Sequence, residues 1–277
     1  MKELYNEVRQ IIDFELDAAE EKYSFAYCRN LWRASGILTS LVVIGGIFGI
    51  YCIYADIHWG FYIFFAFALG SVICFKAYRK KYMKHVAQLF NDDCCVIKAL
   101  TAYVVMLKHS RRGENGEALL AWIGTTLFYL GKFDECKEIV GLIEENFDTN
   151  IGKAYRCSLL AMVALYERNE ETIELCKKEL ETAVSQMPER YAREAYSVIS
   201  KYPEIMEAEE NGNYDKMVLL LKTNNGQNTT LKKVSENYRL YKVAKAAGME
   251  MEAAEHRAYV LEKGGDTFYK KELENVG

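Results

Sequence analysis

Hydrophobic and polar positions divide the chain into stretches of different period. Residues 1–33 place Leu4, Val8, Ile11, Ile12 and Leu16 at helical spacing with acids between them, which predicts an amphipathic helix. From Ala34 to Ala55, and again from Ile57 to Phe75, the pattern becomes continuously apolar, without a Lys, Arg, Asp or Glu. A helix of about 20 residues crosses a hydrocarbon core of ~30 Å, and a charge at its centre costs roughly 2.5–3.5 kcal/mol. Residues 34–78 therefore read as a transmembrane helical hairpin that turns at Asp56–Gly60. Two alternatives fit less well. A buried helical pair would need covering on all sides by elements that have cores of their own to fill. A cleaved signal peptide would begin with a short basic region, where this chain has an acidic amphipathic segment. Residues 79–113 read as a basic helical connector, in which Asn91–Asp93 ends one helix and Val96, Leu100, Tyr103, Val104 and Leu107 mark the next. From 114 to 277 amphipathic helices recur in pairs. The expected fold is all-α, a two-helix membrane anchor followed by a cytoplasmic helical-hairpin solenoid.

Charge sets the orientation of that hairpin. Arg29 and Arg33 precede the first apolar run, Lys76, Arg79, Lys80, Lys81 and Lys84 follow the second, and the turn between them carries no Lys or Arg. Basic residues stay on the cytoplasmic side, so both termini are expected there, with the basic segment beside anionic lipid. Aromatic residues agree: Tyr51, Tyr54, Trp59 and Tyr62 fall at the outer end, and Tyr27, Trp32, Tyr78 and Tyr82 at the inner end. Gly45, Gly46 and Gly49, with Ala66 and Gly70, make small faces that let helices approach closely. They pack the two arms of the hairpin or, in a second reading, bring hairpins together as a homo-oligomer. No ionisable group lies at mid-membrane, which argues against an ion or proton path.

Composition narrows the chemistry. Two prolines in 277 residues fit an almost wholly helical chain, and a formal net charge of −4 gives no case for nucleic acid. The eight cysteines show no metal-ligand spacing, and Cys136, Cys157 and Cys176 fall at apolar helical positions, as free buried thiols do. The adjacent Cys94 and Cys95 read as buried thiols before they read as a redox or lipidation site. His58, His85, His109 and His256 share no neighbourhood, and no Gly-rich phosphate loop is present. Asn228 opens a glycosylation sequon in a segment expected in the cytoplasm. The acidic runs at 144–145, 170–171 and 207–210 read as solvated helix faces. No catalytic, cofactor-binding or metal-ligating residue is expected, no cofactor is implied, and an enzyme is not expected.

The paired helices repeat a turn. Gly131-Lys-Phe-Asp-Glu-Cys136 is matched by Gly212-Asn-Tyr-Asp-Lys-Met217, more loosely by Gly248-Met-Glu-Met-Glu-Ala253, and faintly at Glu167–Thr172. In the first three, Gly ends one helix, and the residue five positions on enters the buried face of the next. Spacings of this order mean stacked helical hairpins. Residues 117–265 resemble tetratricopeptide repeats, best at Leu120, Ile123, Gly124 and Leu127, then Gly131, Phe133, Asp134 and Cys136. Cys136 stands where the family usually has Ala, Trp122 is displaced from the usual Trp, and Asp148 replaces the closing proline. The layout is similar to bacterial membrane-anchored proteins of that family, which implies the bacterial plasma membrane. The resemblance implies a concave groove that binds a protein or peptide partner. Trp122, Thr126, Tyr129, Tyr155, Tyr196 and Tyr238 are candidates for its lining, although each also suits ordinary packing between helices. The function expected is a membrane-anchored adaptor without catalysis. The alternative is a structural or assembly subunit whose hairpin packs inside a larger membrane complex.

Overall fold

The computed structural model describes residues 2–55, 57–110, 116–184, 200–222 and 228–275. The described residues form helices and no strand: α1 (Lys2–Ile11), α2 (Ala18–Tyr54), α3 (His58–Asn91), α4 (Val96–His109), α5 (Gly116–Tyr129), α6 (Phe133–Asn146), α7 (Asn150–Glu167), α8 (Glu170–Val184), α9 (Tyr202–Glu210), α10 (Tyr214–Lys222), α11 (Thr230–Ala246), α12 (Glu250–Lys263) and α13 (Phe268–Asn275). They fall into two compact units, residues 18–87 and residues 1–17 with 88–277.

In the unit of residues 18–87, α2 lies antiparallel to α3. The Tyr27 ring stacks on Tyr82 at 3.7 Å, Gly45 faces Phe64, and Gly60 faces Cys52. A Cβ on Gly45 would come within 1.6 Å of the Phe64 ring, so any side chain there would displace that ring. By contrast, a Cβ on Gly36, Gly46 or Gly70 would meet nothing within 4 Å. Among the described residues one helix, α2, is long and apolar enough to cross a membrane; its apolar window has a mean hydropathy of 2.2 and is only 17% buried. The second apolar run lies within α3, where Phe65, Phe67, Leu69 and Ile73 are exposed.

The helices of this unit run past the apolar stretch. Ser24 donates to Glu20 (2.8 Å), Tyr82 donates to Ser24 (2.7 Å), and Tyr27 also stacks on Tyr78, so the pair holds together well outside residues 34–78. The helices are thus continuous across 33/34 and 78/79. The single helix expected over residues 1–33 is instead two helices. Ile12 turns inward and is 1% exposed, and the Asp17 amide donates to Thr101 Oγ1 at 3.0 Å, which fixes the linking segment on α4. Within residues 79–113 the break falls where Asn91–Asp93 leads to expect it, between the end of α3 at Asn91 and the start of α4 at Val96. Residues 111–115, which span the end of the expected connector, lie outside the described residues.

In the other unit, α4 to α8 pack in sequence, α5 also touches α7, and α9 to α13 form a second run. Leu100, Leu107, Leu120, Ile123, Leu127, Ile139, Ile143 and Leu159 fill the first core, each under 3% exposed. The turns of the four hairpins share one geometry. Gly131, Gly212 and Gly248 have φ of +79°, +60° and +72°, and Arg168 takes the same left-handed conformation at +59°. Behind each, an amide bonds the carbonyl five residues back, Lys132 to Leu127, Asn169 to Ala164, Asn213 to Ala208 and Met249 to Ala244, at 2.8–2.9 Å. Five residues after each left-handed position, Cys136, Ile173, Met217 and Ala253 are buried.

The last helix returns to the start of its unit. The Asp266 carboxylate accepts from the first two amides of α4, Val96 (2.6 Å) and Ile97 (2.9 Å), and the Asp266 amide donates to the Cys94 carbonyl at 3.2 Å. Phe268, 4% exposed, then packs against Phe128, Phe133 and Tyr166. Tyr166 and Tyr238 both donate to Glu272. The chain end is thus bonded to α4, α7 and α11.

Candidate ligand-binding cavity

The first helices of the hairpins, α5, α7, α9 and α11, converge on one cavity of about 510 Å³, which α10, α13 and the end of α3 complete. Three of these helices reach it with residues about one turn apart, as a single helix face does: Thr125 and Tyr129 on α5, Ser158 and Met162 on α7, and Lys232, Ser235, Glu236 and Arg239 on α11. Apolar cover comes from Phe90, Phe128, Leu165, Ile205, Leu220 and Leu221. The cavity is therefore amphipathic, apolar for the most part, with four polar residues on α11 and others, such as Thr125, Ser158 and Lys201, around it.

Those polar groups are ordered by their neighbours. Glu209 holds Arg239 at 2.9 Å, and the guanidinium lies close enough to Tyr129 and Tyr269 to oppose the effect of burial on their phenols, which is upward. Lys232 and Glu236 form an i, i+4 pair at 3.6 Å. Burial raises the Glu236 carboxyl above its usual range, and Lys232 works against that shift. Ser235 and the Tyr269 hydroxyl are 3.1 Å apart. The set offers hydrogen-bond donors, cations and one carboxylate beside apolar walls, without a nucleophile held by a general base.

The residues proposed for a groove are placed as follows. Tyr129 lines the cavity and contacts Phe90 (5.5 Å) and Tyr269 (6.0 Å). Trp122 packs on Tyr103 at 5.3 Å. Thr126 is buried and bonds the Ile123 carbonyl at 2.7 Å. Tyr238 packs on Tyr269 and bonds Glu272. Tyr155 lies on α7 and does not line the cavity. Tyr196 lies outside the described residues. The polar lining on α11 was missed, although Lys232, Ser235, Glu236 and Arg239 form a polar stripe at helical spacing.

The other candidates have structural neighbours. Burial pushes the Cys94 and Cys136 thiols up to about 12, away from reactive thiolate. Next to Asn228, the Thr229 hydroxyl accepts from Lys232 N at 3.3 Å and caps α11. Glu207 pairs with Lys216 at 2.6 Å, and Glu144 pairs with Arg156. His256 stands between Tyr214 and Asn237 at 2.8 Å each, and His85 lies 3.5 Å from Glu20. Among the described residues, no group of three or more His, Cys, Asp or Glu could hold a metal ion. Comparison of the chain with protein-family models, with curated proteins and with solved structures finds no match.

Proposed function

We propose that this protein is a membrane-anchored helical-repeat adaptor, which holds a peptide segment of a partner protein in the amphipathic cavity of residues 88–277. The observation that carries the reading is that cavity. It gathers the inner faces of successive hairpins, and its volume falls within the several hundred Å³ typical of ligand sites. Its occupant is a segment with apolar side chains and at least one polar or charged group to meet Arg239, Lys232 and Glu236. The anchor is the α2–α3 pair, crossing the bilayer twice with both termini in the cytoplasm. In support, its exposed side chains are apolar along both helices, and the basic residues stand at the end opposite the turn. Anchoring serves binding: confining the cavity to a membrane raises its effective concentration toward partners in that membrane.

Photo-crosslinking in the full chain tests this. A benzophenone amino acid at Ser158 or Ser235 should yield a defined polypeptide adduct in native membranes. The same group at Glu145 or Lys178, both exposed on outer faces, should not. Equal yields from the two sets, or none from the cavity positions, would contradict the adaptor reading.

One observation favours a second reading, the subunit of a larger membrane complex. Gly36, Gly46 and Gly70 are not used in packing the hairpin, since a Cβ on any of them would meet open space. They leave flat faces for a further membrane helix.

A further inference from the structure

Positive charge in the unit of residues 18–87 is confined to one end and unbalanced. Helix α2 carries Lys22, Arg29 and Arg33 with no acid between residues 22 and 54. Helix α3 carries Lys76, Arg79, Lys80, Lys81 and Lys84 with no acid anywhere from residue 58 to 91. All these cations are exposed, and none has a carboxylate partner among the described residues. Arg29 has only the Phe25 ring, at 5.8 Å. Of the two acids at this end, Glu20 is buried and accepts from Ser24, and Glu21, exposed, directly precedes Lys22.

The pairing of the helices brings these cations to matched levels. Tyr27 meets Tyr82, and Gly45 meets Phe64, so equal steps along α2 and back along α3 stay in register. Arg33 then stands level with Lys76, and Arg29 level with Lys80. One helical turn beyond Arg33 and Lys76 the exposed surface becomes apolar, with Ile37 at 63% and Ile73 at 57% exposed. Trp32 and Tyr78, amphipathic rings exposed at 47% and 41%, flank the change. Exposed cations on both helices directly beside exposed hydrocarbon match one kind of surface, in which phosphate anions cover acyl chains.

We infer that this belt on α2 and α3 is a binding surface for anionic phospholipid headgroups, through which the protein selects negatively charged lipid for its own boundary. The inference rests on the membrane-anchor reading. Both helices contribute, and the contacts are charge-assisted bonds from guanidinium and ammonium groups to phosphate oxygens.

The test uses the full chain reconstituted into phosphatidylcholine vesicles, with trace spin-labelled phosphatidylglycerol or trace spin-labelled phosphatidylcholine. The motionally restricted fraction of each probe reports lipid held at the protein. The expected result is a preference for phosphatidylglycerol of roughly fivefold, falling toward unity at high salt, where exposed charges are screened. Replacing Lys76, Arg79, Lys80, Lys81 and Lys84 with Gln should abolish most of the preference, Arg29→Gln with Arg33→Gln should lower it, and Lys177→Gln with Lys178→Gln should leave it unchanged. Equal restriction of the two probes by incorporated protein would overturn the lipid inference and leave the anchor standing. Protein that restricts neither probe and stays outside the vesicles would overturn the anchor, and the inference with it.

Discussion

Gly124 shows what one hydrogen atom does in this core. A Cβ there would lie 2.7 Å from Leu159 Cδ1 and 3.4 Å from Ile139 Cγ2, so the residue lets α6 and α7 close on α5. Gly124→Leu should cost on the order of 1–3 kcal/mol through overpacking. Gly124→Ala should cost less, because the nearest atom is the end of a flexible side chain; chemical denaturation of the two variants measures the difference. His256 supplies a pH signature. Burial holds its imidazole below the usual value of 6.5, against the opposing pull of Glu255 and Glu252, and the neutral ring suits its contacts with Tyr214 and Asn237. A depressed folded value means that the unfolded chain binds more protons, so this stabilisation is complete above pH 6.5 and is lost as pH falls through the folded value. The melting temperature should drop between about pH 7 and about pH 5, and His256→Gln should flatten the slope. It should not remove the slope entirely, because burial lowers His109 in the same direction. At this scale the turn residues were legible in sequence, since a left-handed glycine and a buried residue five positions on are local facts. The roles of Thr126 and Trp122 were not, because helical periodicity says that a side chain is covered and not by what.

Elements are joined here by contacts between residues far apart in the chain. Asp266 caps α4 from 170 residues away, a bond no local pattern reveals. Asp266→Ala should destabilise the unit by about 1–2 kcal/mol, the usual cost of losing a cap, and the amides of Val96 and Ile97 should exchange with solvent faster than in the parent chain. Unchanged exchange there would mean that another group caps α4. For the same reason the concave groove implied by the resemblance came without most of its lining. The pairing of helices within hairpins is written in their spacing, while the return of Phe268 and Glu272 to α5, α7 and α11 depends on which aromatic faces happen to meet. The break between α1 and α2 was hidden similarly. Its apolar spacing runs on through Ile12 and Leu16, and only the Asp17 bond to Thr101 shows the chain leaving the helix.

The whole molecule combines two kinds of surface, the exposed apolar α2–α3 pair and a unit whose apolar side chains are largely covered. The account takes the first for a membrane anchor that crosses twice and the second for the part that binds. The apolar runs were legible because such a run is marked by length and the absence of charge alone. The cavity was not, because its lining is drawn from helices between Phe90 and Tyr269, far apart in the chain. The central claim is that both long helices lie in lipid. The unmodified protein can be photolabelled in its native membrane with an apolar diazirine that partitions into the hydrocarbon, and the labelled residues mapped by mass spectrometry. The account predicts labels on the exposed side chains of both helices, such as Ile47 and Ile50 on α2 and Phe67 and Ile73 on α3, and none on residues 96–275. Labels confined to α2, or label spread through α4 to α13, would contradict it.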